Sequence, residues 1–214
     1  MALVSAVIPT RGDVPLDEIL DSLPREWEKI VVDNSREPQD YSVYARYIGC
    51  QRASHDLIMT QDDDVIVSDP EALVAEWIEC AADSRTHERG DSLEHVVCNM
   101  PEEFRHDFYR DHSLVGFGAV FHRDAPQRAF TAFHHDKLKR LGGLCRTPVE
   151  QCEYNDRFRR CCDIAFTALT PRVLVDVPKR NLPWCDAPNR MWKQPEHSGE
   201  RAEFLRQVLA VRDA

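Results

Sequence analysis

The chain of 214 residues is 43% hydrophobic and 30% charged with a net charge of -10, which is long enough for one sizeable domain with its own core and ordinary for a globular protein. Overall acidity argues against wholesale nucleic-acid binding, but residues 101–214 carry 19 Lys plus Arg against 16 Asp plus Glu, leaving 8 against 21 for residues 1–100, so the second half is compatible with a polyanionic partner. No apolar run reaches membrane-spanning length, and Met1–Asp13 lacks a basic leader and reads as a first strand rather than a signal peptide; the expectation is a cytoplasmic protein with no membrane span.

Leu3–Pro9 is a buried-type strand, followed by the turn Pro9-Thr10-Arg11-Gly12-Asp13. Leu16, Ile19, Leu20 and Leu23 recur at helical spacing until Pro24 stops the element. Lys29–Ser35 is a second strand with a polar end, a helix is predicted over about Tyr41–Ala53, and a third strand over Asp56–Gln61. This alternation points to an α/β domain with a mixed, mainly parallel central sheet flanked by helices. Ligands of such sheets bind beyond the carboxyl ends of the strands, which here are Thr10-Arg11, Asp33-Asn34 and Asp62–Asp64. A third helix is expected from Asp69 to about Asp83, with Leu73, Val74, Trp77 and Ile78 on its apolar face, and a charged loop over Ser84–Ser92. Strands follow at His95–Met100 and Leu114–Phe121, the second with glycines that admit close backbone approach. Helices are predicted at Ala125–Arg140 and Asp163–Leu169, a strand at Arg172–Val177, an irregular proline-rich stretch through Pro195, and an amphipathic helix over about Glu200–Val211. No repeat or linker divides the chain, so residues 1–214 read as one domain with halves of about 1–100 and 101–214.

The most informative stretch is Asp56–Val67, where an apolar strand ends in Asp62-Asp63-Asp64. Adjacent carboxylates repel, so they persist where water, a cation or hydrogen-bond donors neutralise them. In extended backbone Asp62 and Asp64 share a face, a pattern suited to Mg²⁺ or Mn²⁺ held by one or two carboxylates and completed by phosphates. A solvated strand end is the plainer reading.

Val7-Ile8-Pro9-Thr10, Ile30–Ser35, Ala45-Arg46-Tyr47-Ile48-Gly49 and Gln61–Asp64 together resemble a GT-A (Rossmann-like) nucleotide-sugar glycosyltransferase of the family-two type. Arg46 stands 16 positions before Asp62, in keeping with the arginine segment of that family, although Tyr47 replaces its usual Asn. Cys162–Phe166 and His197–Arg201 resemble late segments of the exostosin-like branch of the same fold. The resemblance implies transfer of a sugar from a nucleotide-sugar donor, a UDP-sugar by analogy, to a hydroxyl acceptor, with Mn²⁺ or Mg²⁺ as cofactor. It assigns Thr10, Arg11, Asp33, Asn34, Arg46, Asp62, Asp63 and Arg201 to the donor, Asp64 and His197 to the metal, and Asp163 to catalysis. Gly116, Phe117 and Gly118 would line the acceptor floor.

Each assignment has a plainer competitor. Asp163 suits an N-cap of the expected helix at Ile164, His197 and Arg201 suit a solvated i, i+4 pair, and the glycines suit tight sheet packing. His134-His135-Asp136 reads as a solvated helix face, because adjacent residues on a helix point apart. Trp184, Trp192 and Tyr154 could stack on a sugar or base, or simply pack. The eight cysteines contain no CxxC pair and read as reduced, packed thiols; a zinc site from Cys145, Cys152, Cys161 and Cys162 has no recognised spacing. Arg157-Phe158-Arg159-Arg160 raises a variant of the main reading, glycosylation of a hydroxylated base in nucleic acid as in phage DNA modification, with these arginines on phosphates. The competing classes are a nucleotidyltransferase, disfavoured by the single glycine after the first strand, and a non-catalytic nucleotide-binding module.

Overall fold

The computed structural model describes residues 3–82, 95–140 and 148–213, with side chains at all of these except 107, 135–140 and 148–155. Its first strand, β1 (Val4–Thr10), is buried along its whole length, as expected of a β-branched central strand with both faces covered. β1 pairs in parallel with β2 (Glu28–Asp33) on one side and β3 (Leu57–Thr60) on the other. The sheet continues through β6 (Ala119–His122), β5 (Val96–Asn99) and β7 (Arg172–Val175), in the order β2-β1-β3-β6-β5-β7. β6 is antiparallel to both neighbours, whereas β5 and β7 run parallel. The mixed, mainly parallel α/β sheet expected from the sequence is thus observed. Because β1, β2 and β3 share one direction, their carboxyl ends lie on one edge.

Period-two alternation divides the core. Val4, Ala6 and Ile8 of β1 face a layer with Ile19 of α1 (Asp17–Ser22) and Leu73, Val74 and Trp77 of α3 (Pro70–Ala82). Val7 faces the opposite layer with Tyr47 of α2 (Ala45–Arg52), Phe130 and Phe133 of α4 (Ala125–Arg140), Phe158 and Phe166 of α5 (Pro148–Leu169) and Phe204 of α6 (His197–Arg212). Each fully buried aromatic of this layer contributes roughly 1.5–3 kcal/mol relative to exposure. A two-stranded sheet, β4 (Val65–Val67) against β8 (Lys179–Asn181), ties the chain just after the acidic triplet to the C-terminal segment.

Several expected boundaries are corrected. The helix expected at Asp163 is the last third of the 22-residue α5, so Asp163 lies in a helix interior and caps nothing. Phe158, Cys161, Cys162, Ala165, Phe166 and Leu169 form the helical stripe that marks it. The strand expected from Leu114 begins at Ala119, because Gly118 at φ +111 breaks the extended run. The helix expected from Tyr41 opens with a 3-10 turn at Ser42–Tyr44, and α6 starts at His197 rather than Glu200. The charged loop expected at 84–92 lies outside the described residues. No helix among the described residues is long and apolar enough to cross a membrane.

Candidate functional site

The shared edge of β1, β2 and β3 carries the residues singled out by sequence. Thr10 ends β1 opposite Asp33 of β2, and its hydroxyl donates to Asp63 Oδ2 at 2.7 Å. Arg11 donates to the Asn189 carbonyl at 2.7 Å and pairs with Asp13 at 2.6 Å. Asp33 Oδ1 accepts from the Ser35 amide and hydroxyl and Oδ2 meets Arg36 at 3.1 Å; the Ser35 hydroxyl, above all, holds this carboxyl below its ordinary range. Asn34 braces the Tyr41-Ser42 backbone by accepting from the Tyr41 amide at 3.1 Å and donating to the Ser42 carbonyl at 3.3 Å.

The three aspartates occupy different environments. The Asp62 side chain is 40% exposed, and Arg46 Nη2 lies 2.8 Å from its Oδ1. Gly116 backs it: the Gly116 carbonyl accepts from the Asp62 amide at 2.9 Å, and a Cβ at position 116 would lie 1.9 Å from Asp62 Oδ2. A side chain at position 116 would therefore displace the Asp62 carboxylate. Gly118 packs instead on Val67, Leu73 and Asn99. Phe117 lies beneath Lys179 Nζ at 4.0 Å and edge-on to Phe104. Asp63 is buried between Thr10 and Arg190, whose Nη1 lies 2.8 Å from Oδ1. Asp64 has Arg190 Nε at 3.6 Å. Burial, and then its neighbour Asp62, lift the Asp64 carboxyl to about 6, with Arg190 only partly opposing them.

Arg46 joins this edge to α5. It is almost fully buried, with Nε 3.4 Å from Asp163 Oδ1 and Nη2 on Asp62. Burial works against its charge, but Asp163 and Asp62 outweigh that cost and raise its pKa. Asp163 also accepts a 2.6 Å hydrogen bond from the Tyr47 hydroxyl, which burial keeps protonated. Tyr47 is thus the second support of Asp163.

The start of α6 belongs to a neighbouring cluster. Glu200 accepts two hydrogen bonds from Arg160 at 2.9 and 3.2 Å. Burial and the Arg201 charge hold His197 at about 4. Arg201 is itself buried and acts electrostatically on Cys161 and on His112. No described contact joins His197 or Arg201 to the acidic triplet. Of the arginine-rich stretch, Phe158 is core, Arg159 bonds Gln39 and Asp156, and Arg160 holds Glu200. Trp184 donates from Nε1 to the Asp63 carbonyl at 2.7 Å, while Trp192 is half-exposed beneath Lys193. Cys50, Cys98, Cys161 and Cys162 are buried free thiols. The side chains of Cys145, Cys152, Tyr154, His135 and Asp136 lie outside the described residues.

Sequence reasoning missed Arg190. It carries no motif, and only the return of residues 182–193 across the strand ends brings it to Asp63 and Asp64.

Whether these residues suit a divalent cation depends on the donor set. Among the described residues no group of three or more His, Cys, Asp or Glu side chains is placed to hold a metal unaided. Asp64 is buried with Arg190 Nε at 3.6 Å, and Asp62, two positions before it, has a side chain that is 40% exposed. A cation held at these two carboxylates would need phosphates and water for most of its ligands, as Mg²⁺ commonly does.

No protein-family model and no curated protein sequence matches the chain. Among solved structures, the crystal structure of A197 from STIV is similar at a TM-score of 0.40 and 15% identity, over 81% of this chain and 82% of that chain. The functional reading therefore rests on this chain's own residues.

Proposed function

We propose that the protein is a GT-A-type glycosyltransferase that moves a sugar from a nucleotide-sugar donor to a hydroxyl acceptor. The observation that carries this reading is the span of Arg46, which contacts Asp62 at the strand edge and Asp163 on α5 at once. A donor-side acid and an acceptor-side acid are thereby held in one site by one rigid cation.

In the transfer, the acceptor oxygen bonds to the anomeric carbon, the bond from that carbon to the diphosphate breaks, and the diphosphate leaves with the electron pair. On this reading Asp33 and Asn34, at the end of β2, would meet the base and ribose, and Asp62 would face the ribose. Asp163 is fixed at Oδ1 by Tyr47 and Arg46, which leaves Oδ2 to orient the acceptor hydroxyl and receive its proton. Asp64 and Asp62 would hold Mn²⁺ or Mg²⁺, which when bound supplies charge neutralisation for the departing diphosphate. Gly116 keeps the backbone close enough for Asp62 to stay on Arg46.

The test is a thermal-shift panel of nucleoside diphosphates and UDP-sugars with Mn²⁺ on the wild type and Asp62→Asn, followed by a donor-hydrolysis assay. One nucleotide should raise the melting temperature by mass action, with a smaller rise in the variant, and the matching sugar donor should be slowly hydrolysed. If no nucleotide shifts the wild type, the reading fails.

A further inference from the structure

Beyond β8 the chain crosses the carboxyl edge of the sheet and is pinned there along its length. The Leu182 amide donates to the Asp64 carbonyl at 2.8 Å, and Trp184 Nε1 to the Asp63 carbonyl at 2.7 Å. Farther on, the Asn189 carbonyl accepts from Arg11 at 2.7 Å, and Ser42 Oγ meets Met191 Sδ at 3.7 Å. This strap buries one cation. Arg190 is 7% exposed; its Nη1 donates to Asp63 Oδ1 at 2.8 Å and its Nε to the Trp184 carbonyl at 3.0 Å.

The guanidinium is nevertheless incompletely satisfied. Arg190 Nη2 is buried and has no hydrogen-bond partner, and the same holds for Nη1 of the fully buried Arg46. Guanidinium nitrogens only donate, and each buried donor left unmade costs about 1–3 kcal/mol. Two arginines from distant parts of the chain thus stand on one acidic triplet, Arg46 on Asp62 and Arg190 on Asp63 and Asp64, each holding donors that lack an acceptor. The three carboxylates do not use those nitrogens, which leaves each able to donate to a ligand that brings acceptor oxygens of its own. Phosphate oxygens are strong acceptors for a guanidinium N–H.

On the glycosyltransferase reading above, we propose that Arg190 binds the diphosphate of the donor, its Nη2 donating to a phosphate oxygen. The strap 182–193 is then one wall of the donor site. The late cation at the diphosphate is Arg190, in place of the His197 and Arg201 that the family resemblance nominates.

Isothermal titration in Mn²⁺ tests this with three probes: inorganic pyrophosphate, UDP and uridine, replaced by another diphosphate and its nucleoside if the panel selects one. Arg190→Gln should weaken UDP and pyrophosphate at least tenfold and leave uridine unchanged, with Arg190→Lys in between. Because Arg190→Gln leaves Asp63 without its cation, the double variant Arg190→Gln/Asp63→Asn removes both partners, and its diphosphate affinity should stay low. Undiminished UDP and pyrophosphate binding by a folded Arg190→Gln protein overturns the assignment while the glycosyltransferase reading stands. Equal loss of uridine and UDP also overturns it, since the role is then structural. Pyrophosphate binding that depends on Arg190, in a protein that binds no nucleotide, keeps the anion site and defeats the glycosyltransferase reading. A wild type that binds none of the probes defeats both.

Discussion

Replacing Asp64 by Asn should stabilise the protein while removing a group the proposed reaction needs. Asp64 is raised from its ordinary 3.8 to about 6, first by burial and then by Asp62. A group whose native pKa is raised adds stability below its unfolded value and loses it as pH rises through the native one. At pH 7 the folded state therefore carries the full penalty of ionising Asp64, which is about 3 kcal/mol at most for a rise of this size. Asn keeps the shape and carries no charge, but leaves Arg190 Nε without the carboxylate at 3.6 Å, a loss already counted in that balance. The expected gain is about 2 kcal/mol at pH 7, or a melting temperature roughly 4–8 °C higher for a chain of this length. The assay is thermal unfolding in EDTA without nucleotide, at steps from pH 8 to pH 4. The advantage of Asp64→Asn should be largest above pH 6 and shrink towards pH 4, where native Asp64 is already protonated. A variant less stable than wild type at pH 7, or an advantage that does not change with pH, would refute the reasoning.

His112 is fully buried, neither ring nitrogen has a partner, and burial, aided by Arg201 and Arg172, lowers it from 6.5 to about 3. A depressed histidine adds stability above its unfolded value and loses it as pH falls below about 6.5; His112→Phe should raise stability by about 1–3 kcal/mol at pH 7 and flatten the acid limb in urea titrations. Gly116→Ala places a Cβ 1.9 Å from Asp62 Oδ2, so the half-exposed Asp62 should swing off Arg46 at a cost of about 1–3 kcal/mol, with weaker nucleotide affinity by titration calorimetry. Tyr47→Phe removes the 2.6 Å hydrogen bond to Asp163. It should cost about 1–3 kcal/mol and lower transfer with little change in donor affinity, which steady-state kinetics would separate.

Local pattern carried much of the fold. The β-branched runs at Val4–Thr10 and Glu28–Asp33 and the polar residues ending them are visible without coordinates, because strand propensity and burial act over a few neighbouring residues. Parallel order follows from the intervening helices, and with it the expectation that Thr10, Asp33 and Asp62–Asp64 meet at one edge. α5 was harder: its first half, 148–160, is dense in charge, and the stripe from Phe158 to Leu169 has cysteine or alanine at three of its six positions, which signal burial weakly. The extra length matters, since it turns Asp163 from a helix cap into a buried carboxylate facing Tyr47 and Arg46.

The α/β class, the shared edge of the strand ends and the acidic triplet on it are legible from the chain alone, because these depend on periodicity and on charges adjacent in sequence. Tertiary structure alone decided how those charges are compensated. Arg190 lies 127 positions from Asp63 and Asp163 lies 116 from Tyr47, and no local signal links them. Electrostatic energy depends on distance through space and on shared burial, so which arginine answers which aspartate exists only once the strap and α5 have closed over the sheet.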